Sequence, residues 1–263
     1  MITPMFCKSD DNIDDLHKYL MQSIVSSGKD LKFGDKDEVK MAREGCFIIQ
    51  VYGKGIDRLL DGKVPDGVPF KKSMVKRLQQ AFLDLETNPN NFVYTYQQLL
   101  KEWPLTGFLL DIIERGLHGG VGQIYDQMQM AKRALENDVR DNICSNRNVG
   151  TTLHPYMNDV FDGIEMKDKP CFNWFQVRYN GNKKVSLRLL FRSHDYIHGI
   201  WPNLCSIVKV FYELVVKPCG CDIEEVILIS TSGHAYETDS EEAEHASGMK
   251  WEREQTHMPN VQG

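Results

Sequence analysis

A chain of 263 residues in which 41% are hydrophobic and 26% charged can bury a sizeable core in one or two domains. Its formal charge of −6 argues against non-specific attachment to nucleic acid or an anionic membrane, but leaves room for a local basic pocket holding one phosphate. Seven cysteines, at 7, 46, 144, 171, 205, 219 and 221, form no disulfide framework, which points to a reducing cytoplasm, or a host cytoplasm if the source is viral.

The start, Met1-Ile2-Thr3-Pro4, lacks the basic-then-apolar pattern of a secretory signal. No segment has the ~18 apolar residues of a membrane span. A first helix is predicted over 10–27, capped by Asp10 and Asp11, with Ile13, Leu16, Leu20 and Ile24 inward. Gly34-Asp35-Lys36-Asp37 is a turn, and Cys46–Tyr52 a strand. Gly62, Pro65, Gly67 and Pro69, set among charges, make a surface loop. A second helix covers 73–86 with Val75, Leu78, Phe82 and Leu85 inward. Residues 92–118 are helical around Tyr96–Lys101 and Phe108–Arg115, broken at Trp103-Pro104. A third helix spans 121–136 on Val121, Ile124, Met128, Ala131 and Leu135, and 142–168 carries short strands and loop without strong pattern. Strands follow at 173–178 and 185–192, joined by a hairpin loop containing Asn180-Gly181. A helix after Asn203 runs to Pro218 and Gly220, and Val226–Ser230 is a buried strand. Ser240–Glu244 is a solvated helix face or a frayed tail. Cys219-Gly220-Cys221 is too closely spaced for a zinc knuckle, so no metal is expected. With no repeat, linker or composition break, the economical organisation is a single domain over 1–263, with 1–40 an N-terminal helix and loop and 240–263 a polar C-terminal tail.

Chemistry concentrates between Lys169 and Asp239. Cys171 follows Pro170 at the mouth of an alternating strand, and Arg192-Ser193 closes the next strand. A guanidinium beside a hydroxyl suits a phosphate, and a nearby arginine favours the nucleophilic thiolate. Singly these residues have ordinary uses: a surface ion pair for Arg192, a core histidine for His234, a helix N-cap for Asn203. Their order is distinctive. Pro170-Cys171 with Phe175-Gln176, then Arg192-Ser193-His194-Asp195, Gly199-Ile200-Trp201-Pro202-Asn203 and Ser232-Gly233-His234-Ala235-Tyr236 together resemble the thymidylate synthase superfamily.

The resemblance implies an α+β fold, a large mixed β-sheet flanked by helices in one thymidylate-synthase-like domain, and a homodimer paired through its sheets. It implies folate-dependent transfer of a one-carbon unit to carbon 5 of a pyrimidine nucleoside monophosphate, giving a methyl or hydroxymethyl product; the alternative is a non-catalytic nucleotide-binding dimer. Cys171 is the implied nucleophile, and Arg192 and Ser193 hold the phosphate, with Arg140 lent by the partner subunit. Asn203 reads the base edge and favours dUMP, because an amide both donates to O4 and accepts from N3–H of uracil. His234 and Tyr236 take the sugar hydroxyl, and Asp195 lies on the side of methylene-tetrahydrofolate. The chain departs from the family at several points. Phe172 follows the nucleophile, Val139-Arg140-Asp141 replaces an adjacent arginine pair, and Gly107–Gly120 lacks a Tyr-Gly segment. Leu78, followed by Gln79 and Gln80, stands where the family has a glutamate, for which Glu102, Asp111 and Glu114 are positional candidates.

Overall fold

The computed structural model describes residues 3–33, 40–83, 126–152 and 171–251. The chain opens with β1 (Met5–Asp10), a strand with no clear alternation in sequence. It enters α1 (Ile13–Ser27) through Asn12, whose side chain accepts from the backbone N–H of Asp14; the cap is therefore Asn12, not the preceding aspartates. The predicted inward residues of α1 are buried, joined by His17, Met21 and Val25. Next come β2 (Lys29–Phe33) and β3 (Lys40–Tyr52), the latter six residues longer at its start than its apolar run predicts. A short helix, α2 (Lys54–Leu60), precedes α3 (Lys72–Leu83), where Val75 is buried and Leu78 only partly so. The expectations for the turn Gly34–Asp37, for Phe82 and Leu85, for 92–118, for Val121 and Ile124, and for 153–168 lie outside the described residues.

Helix α4 (Gln127–Asp141) buries Met128, Ala131 and Leu135, runs past the predicted stop at 136, and ends on Asn142 in the left-handed conformation. Then follow β4 (Val149–Thr151), β5 (Phe172–Gly181), β6 (Lys184–Phe191) and the two-residue β7 (His194–Asp195). The β5–β6 turn centres on Asn182 and Lys183, both at positive φ, rather than on Asn180-Gly181. Helix α5 (Ile200–Phe211) starts before Asn203, because Pro202 falls in its first turn, where a missing N–H costs nothing. It continues through a π turn and a 3-10 turn to Gly220, where Cys219 donates its thiol to the Val215 carbonyl. Strand β8 (Asp222–Tyr236) is three times the length of its apolar centre, and α6 (Ser240–Ser247) follows.

The strands form one mixed eight-stranded sheet in the order β1-β3-β8-β6-β5-β4, with β2 on β3 and β7 on β8. β3 is antiparallel to β8, β8 parallel to β6, and β6 antiparallel to β5. One face is the core: Phe47, Ile49 and Val51 of β3, Val226 and Leu228 of β8, Leu187, Leu189 and Phe191 of β6, and Phe175 and Val177 of β5 are all essentially inaccessible. The helices cover this face, giving the expected α+β architecture. Opposite it, Ile48, Ile227, Ile229, Leu190 and Trp174 are only partly buried. A row of polar side chains crosses five strands of that open face. Ser9 donates to Gln50, Gln50 and Ser186 both donate to Glu225, and Asn180 donates to Ser186.

Candidate active site

Cys171 stands immediately before β5, half-buried and unbridged, and its carbonyl accepts from the Arg192 N–H at 2.8 Å. The nucleophile candidate is thereby fixed opposite Arg192 at the point where β6 ends. Beneath them Phe172 faces Phe191 across the ladder, with ring centroids 4.9 Å apart. Arg192 is exposed, and its carbonyl accepts from Thr231 Oγ1 of β8 at 2.9 Å.

β7 lies parallel on β8 with His194 opposite Gly233 and Asp195 opposite His234. Ser193 Oγ comes within 3.3 Å of His234 Nδ1. His234 and Tyr236 alternate along β8, and their rings meet edge-on with centroids 4.9 Å apart. Burial holds the His234 pKa below its ordinary value, with Asp195 and Glu44 pulling the other way and Arg192 assisting burial. A neutral imidazole both donates and accepts, as recognition of a hydroxyl needs. Between these residues His194 is packed at 3% exposure against Phe191 and Phe47, with neither ring nitrogen hydrogen-bonded among the described residues. Burial pushes its pKa down to about 3.

Asp195 shapes the entry to α5. Its Oδ1 accepts from the N–H groups of Ile197 and His198, both at 2.8 Å, and its carbonyl accepts from Gly199. Its Oδ2 makes no hydrogen bond to a described residue. Asn203 follows as the fourth residue of α5; Gly199, without a side-chain bond, is the N-cap. The Asn203 carboxamide is half-buried and bonds to no described residue, which leaves it available to a ligand.

One end of the sheet thus gathers Cys171, Arg192, Ser193, His234 and Tyr236, with Asp195 and Asn203 on the segment leading away from it. Arg140 is not among them. It sits exposed in the last turn of α4, its guanidinium forked onto its own neighbour Asp141 at 2.8 and 3.1 Å. Gln79, beside the Leu78 position, is buried, and its Nε2 donates to the carbonyls of Leu59 and Cys205, each at 3.1 Å. Its amide nitrogen is committed within the scaffold.

A model of the thymidylate synthase family matches residues 50–262. A protein of Methanothermobacter thermautotrophicus, provisionally named a thymidylate synthase, is 26% identical over 244 residues, covering 92% of this chain and 87% of its own length. Proteins given the same provisional name in Methanosarcina barkeri and Methanothermobacter marburgensis are 26% and 25% identical, over 67% and 70% of this chain and 68% and 69% of their own lengths.

Proposed function

The chain belongs to the thymidylate synthase family, and from that premise we propose that it transfers a one-carbon unit to carbon 5 of a pyrimidine nucleoside monophosphate, dUMP in preference, through a covalent adduct at Cys171. One observation carries the proposal: the Cys171 carbonyl is bonded to Arg192 N–H while Ser193 meets His234, so the thiol and the residues proposed for the phosphate and the sugar share one end of the sheet.

Arg192 and Ser193 bind the 5′-phosphate by charge-assisted hydrogen bonds. The Asn203 amide donates to O4 and accepts from N3–H of uracil, and neutral His234 with Tyr236 takes the sugar hydroxyl. Cys171 as thiolate adds to carbon 6 of the base, which makes carbon 5 nucleophilic. Methylene-tetrahydrofolate supplies the one-carbon unit and, for a methyl product, the hydride. The uncommitted Oδ2 of Asp195 suits an N–H donor on the folate side. The product is the methyl nucleotide where water is excluded and the hydroxymethyl nucleotide where it enters. The subunits pair through the open face of the sheet, with Arg140 lent across to the phosphate.

A second reading, a nucleotide-binding dimer without chemistry, draws on the loss of a proton-handling carboxylate at the Leu78 position, whose neighbour Gln79 spends its amide nitrogen on two carbonyls. Incubation with dUMP or dCMP tritiated at carbon 5, with and without methylene-tetrahydrofolate, separates the readings. Tritium release abolished by Cys171→Ala supports the enzyme, and product mass assigns methyl or hydroxymethyl. Nucleotide binding with no release, equal in wild type and Cys171→Ala, supports the second reading.

A further inference from the structure

Two buried bridges hold the first turns of α5 from outside the helix. Trp201 Nε1 donates to His17 Nδ1 of α1 at 3.1 Å, the rings edge-on at 83°, with Trp201 fully buried and His17 3% exposed. On the other side of Asn203, the Cys205 carbonyl accepts from Gln79 Nε2 of α3 at 3.1 Å, and the same nitrogen reaches the Leu59 carbonyl of α2. Asn203 therefore stands between a fixed point two residues before it and another two residues after it. Packing alone does not ask for this. An apolar side chain would fill either place without the cost of drying a polar one, so the bridges add direction rather than bulk. An acceptor at Nδ1 also requires the neutral Nε2–H tautomer of His17. Burial keeps the ring neutral, with a pKa of about 4.

We propose that His17 and Gln79 are positioning residues that fix the rotation and depth of the first turns of α5 and so aim the Asn203 carboxamide, setting base discrimination. The proposal rests on Asn203 as the base-reading residue. Its test is calorimetric binding of dUMP and dCMP to the full chain, with tritium release alongside, for His17→Leu, His17→Asn, Trp201→Phe and Gln79→Leu. An asparagine places its oxygen near the position of Nδ1 and keeps the acceptor; the leucine does not. Trp201→Phe removes the donor from the other side while keeping a ring in the core, so it reports on the bridge even if His17→Leu does not fold. Expected are a loss of dUMP preference by about fivefold in His17→Leu, Trp201→Phe and Gln79→Leu, the scale of one net hydrogen bond, a rise in KM with kcat held, and recovery in His17→Asn. Equal discrimination in His17→Leu, Trp201→Phe and wild type overturns the proposal. Asn203→Asp, measured in parallel, separates the premises: if it alters the preference while the bridge variants do not, the positioning role falls and the base reading stands. If none of them alters it, both fall.

Discussion

At the scale of single residues the site depends on groups with few alternatives. Asn203→Asp replaces an amide with a carboxyl group that answers the exocyclic amine and N3 of cytosine, so preference should move from dUMP toward dCMP in a competition assay; an unchanged ratio sinks the base-reading role. Gly233 is fixed by space. A Cβ there would lie 2.4 Å from Tyr196 Cε2 and 2.9 Å from the Phe47 ring, two buried side chains with nowhere to go. Gly233→Ala should cost about 1–3 kcal/mol by overpacking, measured by urea unfolding, and weaken nucleotide binding through the adjoining His234. The candidate residues were legible in the sequence because their motif is local in spacing. Their physical states were not. That Gln79 is spent on carbonyls and that the ring nitrogens of His194 find no hydrogen-bond partner among the described residues depend on which distant segments pack against each side chain.

Among the elements, α6 is the helix, one of the two readings of Ser240–Glu244, but one side of it is packed rather than solvated. Ala243 and Ser247 are buried, Gln22 of α1 donates to the Ser247 carbonyl at 3.2 Å, and the Arg43 guanidinium lies 4.5 Å from the centre of the Trp251 ring. Arg43 is itself buried and bonded to Asp30 and the Val25 carbonyl, so the stack joins α6 to β2, β3 and α1. Trp251→Ala should therefore lower stability by about 1–2 kcal/mol, as a desolvated cation–π contact does, visible as a lower urea midpoint with unchanged slope. No change in midpoint would show the stack to be incidental. Strong periodicity made α1, α4 and β6 legible. β1 escaped because only Phe6 is buried along it, and the start of α5 escaped because Trp201-Pro202 looks like a helix breaker when it is a first turn.

For the molecule as a whole, buried neutral histidines set the pH response. His17 and His194 have folded pKa values of about 4 and about 3 against an ordinary value of 6.5. Below pH 6.5 the unfolded chain takes up protons that the folded chain refuses. Stability therefore falls with falling pH by up to ~1.4 kcal/mol per unit for each histidine, levelling off near their folded values. Urea unfolding between pH 7.5 and 4.5 should show this slope, and His194→Phe should flatten it; an equal slope in that variant contradicts a neutral His194. Assembly is the other global property. The open face carries Ile48, Ile227 and Ile229 beside the polar row that runs through Glu225, and pairing two such faces would bury both. If the subunits pair as proposed, Ile229→Lys converts the dimer to a monomer by light scattering and weakens phosphate-dependent binding of dUMP. A wild-type protein that is already monomeric rules out the lent arginine.

The pairing of β3 with β8 carries a consequence for biosynthesis. Glu44 lies opposite His234, and Phe47 opposite Ser230, so the central ladder joins segments separated by well over half of the chain. As the ribosome releases the chain, β3 emerges early with one long edge unfilled, and it must wait for β8 before the sheet closes. Non-local ladders of this kind fold slowly and expose edges while they wait. The same late strand brings His234 and Tyr236, so the proposed nucleotide site is completed in the step that closes the sheet. A nucleotide that binds there would act as a folding ligand for the newly made chain, and its supply would influence how much of the protein escapes aggregation during synthesis.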